Sequence, residues 1–182
     1  MNSAYTTLLS VLKLLYYILE SIVLAFVPKS WRFKDITGEN VLITGAGSGI
    51  GRLLAIRFAN KGARVVIWDL NLEAAKETAK IVKDAGGEAF PYYCDVSKPQ
   101  NVYDVAARVK KEVGRVDILV NNAGIVTGKR FLECPDHMIQ KTFEVNAISH
   151  FWVSSKEKFL FLGCNFIFRL VIIKLTKLLL SP

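Results

Sequence analysis

From Asn40 onward the chain alternates short apolar runs with amphipathic segments. Residues 40–44 (NVLIT), 64–68 (RVVIW), 89–94 and 116–120 (VDILV) read as strands. Residues 49–61, 72–85 and 102–113 read as the helices between them, and a longer helix is expected over 136–154. Glu73 with Lys76 and Glu77 with Lys80 support the second of these helices, because charges three apart share a face. The strand runs do not alternate with polar residues, which fits strands buried on both sides. Strand and helix repeated at this spacing predict an α/β fold, a doubly wound parallel sheet with helices on both faces.

The first stretch has a different pattern. Residues 8–27 (LLSVLKLLYYILESIVLAFV), followed by Pro28, form an apolar run of about 20 residues, enough to cross or lie in a bilayer. Lys13 and Glu20 interrupt it, seven residues apart and nearly on one helical face. A signal peptide is disfavoured: there is no basic leading region and no small-x-small site before Pro28. Lys29, Arg32 and Lys34 follow the run, so the positive-inside rule places the next domain in the cytosol. An anchor and a core helix both fit these residues. The anchor is favoured, because nothing downstream requires an extra apolar helix before the first strand.

The last stretch, 159–180 (FLFLGCNFIFRLVIIKLTKLLL), is very apolar, with Arg169, Lys174 and Lys177 as its later charges. An interfacial membrane helix, a replacement strand and helix for the sheet, and an unpacked tail remain open for it, the first favoured by the basic–apolar mix. Three segments result: an anchor helix with basic flank (1–34), the N-terminal part of a dinucleotide-binding domain (35–153) and a divergent tail (154–182).

At 182 residues the chain suits one domain of ordinary size. With 52% hydrophobic and 22% charged residues it is neither disordered nor of low complexity. Cys94, Cys134 and Cys164 are odd in number, far apart and without C-x-x-C spacing, so they read as reduced thiols. The net charge of +8 suggests nucleic acid at first, but half of the excess lies in 151–182 and no basic run carries interleaved aromatics. Nucleic-acid binding is therefore disfavoured. His137 and His150 have no third ligand at metal spacing, so no metal site is expected.

Chemistry enters after the first strand, at Thr44-Gly45-Ala46-Gly47-Ser48-Gly49-Ile50-Gly51. A tight strand-to-helix turn needs unusual backbone angles, a pyrophosphate must approach the backbone closely, and the helix must pack on the strand. The helix start then offers free N–H groups and a positive dipole end to the phosphates. The second strand ends in an acid, Asp69, 18 residues past Gly51, where a carboxylate accepts hydrogen bonds from the adenosine ribose. The same carboxylate repels a 2′-phosphate and no basic residue in the turn offsets it, so NAD is preferred to NADP. Capping of the following helix is the alternative role for Asp69.

The spelling TGAGSGIG resembles the short-chain dehydrogenase/reductase pattern, and three further motifs occur in the same order. Cys94-Asp95-Val96 ends the third strand, Asn121-Asn122-Ala123-Gly124 follows the fourth, and Asn146 lies in Phe143-Glu144-Val145-Asn146-Ala147. The resemblance implies that Asp95 and Val96 contact the adenine and that the turn of Asn122, Ala123 and Gly124 borders the cofactor. It also implies that Asn146 helps hold a water-linked proton relay. Taken alone, Asn121 and Asn122 read equally as turn formers. The wording WDLN, YYCDVS, NNAGIVTGK and FLECPD is similar to the branch of membrane-bound retinol and 17β-hydroxysteroid dehydrogenases, the epidermal-type retinol dehydrogenases being the nearest resemblance, over about 5–153.

Beyond Trp152 the resemblance stops. The family reaction uses a tyrosine base, a lysine four residues later and an upstream serine, but the last tyrosine here is Tyr103 and no Tyr-x-x-x-Lys occurs. About four of the family's usual seven strands are expected, in the order 3-2-1-4, leaving the fourth as an apolar edge. Three outcomes are expected to compete: a catalytically inactive oxidoreductase relative; a membrane-held module binding NAD or pairing with itself or a full-length relative; and an enzyme with an unrelated base among Asp117, Glu133 and Asp136, for which nothing supplies the geometry. The resemblance further implies a lipid alcohol substrate, and an endoplasmic reticulum membrane or lipid droplet surface with the domain facing the cytosol.

Overall fold

The computed structural model describes residues 3–26, 34–128 and 130–156. The chain divides into two compact units, Met1–Asp35 and Ile36–Pro182. In the first, helix α1 (Ser3–Phe26) runs for 24 residues and starts before the apolar run. At 1.5 Å per residue it is roughly 36 Å long, and Tyr5–Val23 is apolar enough to cross a membrane by length and composition. Its hydroxyls turn inward: Ser10 Oγ donates to the Thr6 carbonyl at 3.0 Å and Ser21 Oγ to that of Tyr17 at 2.8 Å. Those bonds satisfy the polar groups without water.

The second unit holds β1 (Asn40–Thr44), α2 (Gly49–Ala59), β2 (Arg64–Asp69), α3 (Leu72–Asp84), β3 (Glu88–Tyr93), α4 (Pro99–Glu112) and β4 (Ile118–Val120). A single turn of 3₁₀ helix (Phe131–Glu133) follows, and then a long helix made of α5 (Asp136–Phe143), a π-turn (Glu144–Ile148) and α6 (Ser149–Lys156). All strand pairs are parallel and the order is β3-β2-β1-β4, an α/β Rossmann-like sheet. Leu42 lies beside Val66 and Leu119, and Thr44 beside Trp68.

Alternation along the strands divides the core in two. Val41, Ile43, Val65, Ile67 and Ala89 meet Ala55 of α2 and Ala75, Ala79 and Val82 of α3 on one face. Leu42, Val66, Trp68 and Tyr92 meet Val102, Val105 and Val109 of α4 and Val153 of α6 on the other. Both helices show why they fold here: α3 buries Ala75, Thr78, Ala79 and Val82, and α4 buries Val102, Val105, Ala106 and Val109, one stripe at helical spacing. The Asn71 side chain caps α3 by accepting from the Ala74 N–H. Every residue of β1 is buried, whereas Ile118, Leu119 and Val120 of β4 are only half-buried, and β4 has a single strand neighbour among the described residues.

Element bounds in this unit differ from the expectation by up to three residues, and the larger differences have local causes. Helix α4 begins at Pro99, not at Val102, because proline at the first helical position lacks only an N–H that has no helical partner there. Strand β4 is three residues long, since the Asp117 side chain is drawn to Arg115 and to the Asn40 N–H. The long helix carries a π-turn at Glu144–Ile148, a local widening that hydrophobic spacing does not encode. The expected tail over 154–182 lies almost wholly outside the described residues, as does Cys164.

Candidate functional site

The expected site residues come together at the carboxyl ends of the strands. Gly45 follows β1, Asp69 ends β2, Asp95 and Val96 follow β3, and Asn122, Ala123 and Gly124 follow β4. The strand order runs outward from β1 in both directions, so a crevice opens between β1 and β4, where doubly wound sheets place ligands.

The glycine-rich turn is built by close approach. Gly45 has φ +65°, and a Cβ there meets Ala123 Cα at 2.8 Å. A Cβ on Gly51 collides with the Gly45 carbonyl oxygen and stands 2.6 Å from Asn122 Nδ2, so only glycine lets α2 leave the sheet at this angle. Ala46, Gly47 and Gly51 are buried and form the floor of the turn, while Ser48, Gly49 and Ile50 are exposed at its rim. In front of Gly49 a Cβ meets nothing within 4 Å. The Ser48 side chain makes no capping bond, so the first-turn N–H groups of α2 have no side-chain cap. An uncapped helix start behind a floor of glycines fits a pyrophosphate.

Asp69 stands beside it. Its Oδ2 accepts the Gly47 N–H at 2.8 Å and its Oδ1 the Asn71 N–H at 2.8 Å. The helix cap itself is Asn71, so capping is not the primary task of Asp69. With one N–H on each oxygen, further lone pairs remain for ribose hydroxyls.

On the other wall, Thr44 Oγ1 accepts the N–H groups of Asn122 and Ala123, both at 3.1 Å, and Asn122 Nδ2 donates to the carbonyls of Thr44 at 3.0 Å and Gly45 at 3.1 Å. Asn146 grips the backbone of Ile125 from both sides: Oδ1 accepts its N–H at 2.8 Å and Nδ2 donates to its carbonyl at 2.8 Å. It does so from the π-turn, and Gly124 passes so close that a Cβ there stands 3.4 Å from Asn146 Oδ1.

Beyond β3, Asp95 Oδ1 accepts from the Ser97 N–H at 3.0 Å and its hydroxyl at 2.6 Å, and Val96 is buried. Burial works against the Asp95 charge, but the two Ser97 bonds and the fields of Lys141 and Lys98 outweigh it and hold the carboxyl below its ordinary pKa. Its neighbour Cys94 is pushed up to about 12, first by burial and then by Asp95, so it is an inert thiol. Among the described residues no group of His, Cys, Asp and Glu is placed to hold a metal ion. Asp117 pairs with Arg115 and Asn40 at the amino end of the sheet, Glu133 pairs with Arg130, and Asp136 lies in the first turn of α5.

Sequence reasoning passed over three residues. Thr44 is the one hydroxyl in an apolar strand, which was a signal. Arg52 donates from Nε at 3.0 Å and Nη2 at 2.7 Å to the Gly47 carbonyl and reaches Glu77 at 2.7 Å, bracing the turn from behind. Lys141 donates to Ser97 Oγ across 44 positions, and nothing local announces that contact.

Residues 39–157 match the short chain dehydrogenase family. The chain is 54% identical over 153 residues to short-chain dehydrogenase/reductase family 16C member 6 of Bos taurus, covering 84% of this chain and 48% of that protein. It is 52% identical over 141 residues to epidermal retinol dehydrogenase 2 of Homo sapiens, covering 77% of this chain and 45% of that protein. In solved structures, its fold is similar to the hydroxysteroid dehydrogenase from Escherichia coli, with TM-score 0.62 and 39% identity, covering 66% of this chain and 51% of that one. The chain thus spans about half the length of the relatives it matches.

Proposed function

The chain belongs to the short chain dehydrogenase family, an oxidoreductase family whose Rossmann fold implies NAD(P), and we propose that these 182 residues form its adenosine-binding half. The observation that carries the reading is the uncapped start of α2 behind the glycine floor, with Asp69 beside it. In this reading the first-turn N–H groups of α2 and the exposed rim of Ser48, Gly49 and Ile50 take the pyrophosphate, with Gly45 and Gly51 allowing the approach. Asp69 takes the ribose, Asp95 and Val96 the adenine, and the turn of Asn122, Ala123 and Gly124 the wall toward the nicotinamide. The negative carboxylate favours NAD over NADP. The bound dinucleotide supplies a hydride acceptor or donor, and the chain's own residues bind and orient it.

The relatives' names point to a lipid alcohol, a retinol or a steroid, as the substrate class of the whole enzyme. These residues carry Asn146 of the family's relay but no Tyr-x-x-x-Lys, so the proposal is that by themselves they turn over no alcohol. Helix α1 supports a membrane or lipid-droplet placement, and Lys34 with the other basic residues after it supports a cytosolic domain; the endoplasmic reticulum rests on resemblance alone.

A second reading is favoured by one observation. Phe143 and Phe151 of the long helix are 62% and 71% exposed and lie eight residues apart, near one face. That face suits pairing with a second copy or a full-length relative, which makes the chain a membrane-held binding or dimerisation module.

The test is NADH and NADPH titration of the full chain with and without Asp69→Ala, alongside thermal unfolding. Saturable NADH binding that the variant loses supports the reading. An unfolding transition without binding of either nucleotide removes it. Steady turnover of an alcohol by the chain alone overturns the inactive assignment, and co-purification with a relative speaks for the module.

A further inference from the structure

We propose that Lys141 is a positioning residue for the adenine end of the dinucleotide site, tying α5 to the loop after β3 through Ser97 and Asp95. This inference rests on the cofactor reading above, and what it adds is a residue 44 positions away from the loop it orders. No residue of α5 itself is buried, and the apolar anchors of the long helix lie further on, at Val145 and Val153, so the reach from α5 to the loop is polar. Of its side-chain bonds, Thr142 returns to the Met138 carbonyl and Gln140 reaches Glu144 one turn on. Among the described residues, the Lys141 bond is the one that leaves the helix, its Nζ donating to Ser97 Oγ at 2.6 Å.

The direction of this relay is determined by proton count. Ser97 has one hydroxyl proton, and it goes to Asp95 Oδ1 at 2.6 Å, so its lone pair faces the ammonium. Lys141 therefore donates to Ser97, and Ser97 to the carboxylate. From the other side Asn101 Oδ1 accepts the Asp95 N–H at 2.7 Å, so the loop is braced by α4 and by α5, with the buried Val96 between. The charged groups facing Asp95 are Lys141 and Lys98, the latter 4.0 Å away, with the neutral Cys94 thiol alongside. Glu144, three residues on in the same long helix, lies 3.7 Å from the Lys141 ammonium. Removing Lys141 unties the α5 end of this loop while leaving every buried apolar contact in place.

The experiment is titration of the full chain with ADP-ribose, comparing wild type, Lys141→Met, Lys141→Arg and Ser97→Ala. Lys141→Met is expected to weaken ADP-ribose binding about three- to tenfold, the scale of one half-exposed charge-assisted bond, with the thermal midpoint within about 2 °C of wild type. Lys141→Arg restores most of the affinity, and Ser97→Ala added to Lys141→Met costs little more, because both break one link. In the pH profile, Lys141→Met loses affinity at a higher pH than wild type as the solution is acidified, since Asp95 no longer has that cation beside it. Wild-type affinity retained by Lys141→Met at all pH values, or equal weakening in the Met and Arg variants, overturns the proposal and leaves the cofactor reading intact. Failure of the wild-type chain to bind ADP-ribose overturns both.

Discussion

The Thr44 hydroxyl and Asn122 hold each other reciprocally across the crevice: Thr44 Oγ1 accepts the Asn122 N–H at 3.1 Å, and Asn122 Nδ2 returns a bond to the Thr44 carbonyl at 3.0 Å. Thr44 is 2% exposed and also accepts the Ala123 N–H, so one buried oxygen satisfies two backbone donors where the chain leaves β4. Half of the candidate site is thereby locked to the strand that carries the other half. Thr44→Val keeps the shape and removes both acceptor contacts. It is expected to lower unfolding free energy by about 1–3 kcal/mol, the cost of stranding buried donors, measured as a fall in the urea midpoint. A midpoint equal to wild type counts against the lock.

Gly51 is the tightest position in the turn, its missing Cβ facing the Gly45 carbonyl and Asn122 Nδ2. Gly51→Ala has backbone in its way, not a flexible side chain, and is expected to cost about 2–4 kcal/mol in a denaturant titration. Gly49→Ala meets open space and bears only the strain of φ +52°, so its cost is smaller, about 1 kcal/mol. The same methyl stands in the space proposed for the pyrophosphate, so NADH affinity is expected to fall more than stability does.

Cys94 is buried with its thiol pushed up to about 12, whereas Cys134 is half-exposed. Iodoacetamide at pH 8 is expected to label Cys134 in the native protein and Cys94 only after denaturation, read by peptide mass spectrometry. Native labelling of Cys94 contradicts its burial.

Asp95 has a carboxyl pKa below its ordinary value in the folded chain. Its contribution to stability is therefore fully present above the unfolded carboxylate pKa of about 3.9, and it is lost as pH falls through the lower folded value. Asp95→Asn is expected to be less stable than wild type at pH 6 and to lose less stability between pH 5 and pH 3. Parallel urea midpoints for the two proteins across that range refute the assignment.

Charge preference at Asp69 gives a further check. Asp69→Asn removes the repulsion facing a 2′-phosphate while keeping a side chain able to accept from the Gly47 N–H. The ratio of NADPH to NADH affinity is expected to rise about tenfold, worth about 1.4 kcal/mol. An unchanged ratio places the discriminating charge elsewhere.

Much of the fold was legible along the chain because its signals are local. The unbroken runs around Leu42 and Val66 fit strands buried on both faces, and the Glu73–Lys76 and Glu77–Lys80 spacing marked the helix whose buried stripe is Ala75, Thr78, Ala79 and Val82. The glycine turn carried its own geometry, since Gly45 and Gly51 stand where no side chain fits. Less legible were the ends of elements: Pro99 starts α4 where periodicity alone began it later, and the Asp117 side chain shortens β4.

Neighbours within a few residues specify the alternation of strand and helix, the apolar first helix and the positions of Gly45, Asp69, Asp95 and Asn122 at strand ends, and strand–helix–strand spacing then implies a parallel sheet. What those positions do to one another comes from the three-dimensional fold. It brought Thr44 to Asn122, placed Asn146 in a π-turn from which it grips Ile125, set Arg52 behind Gly47, and laid Lys141 on Ser97. Those contacts join residues from 5 to 78 positions apart. The longer ones exist because the sheet places separate strand ends side by side, a proximity that no local pattern of hydrophobic and polar residues encodes.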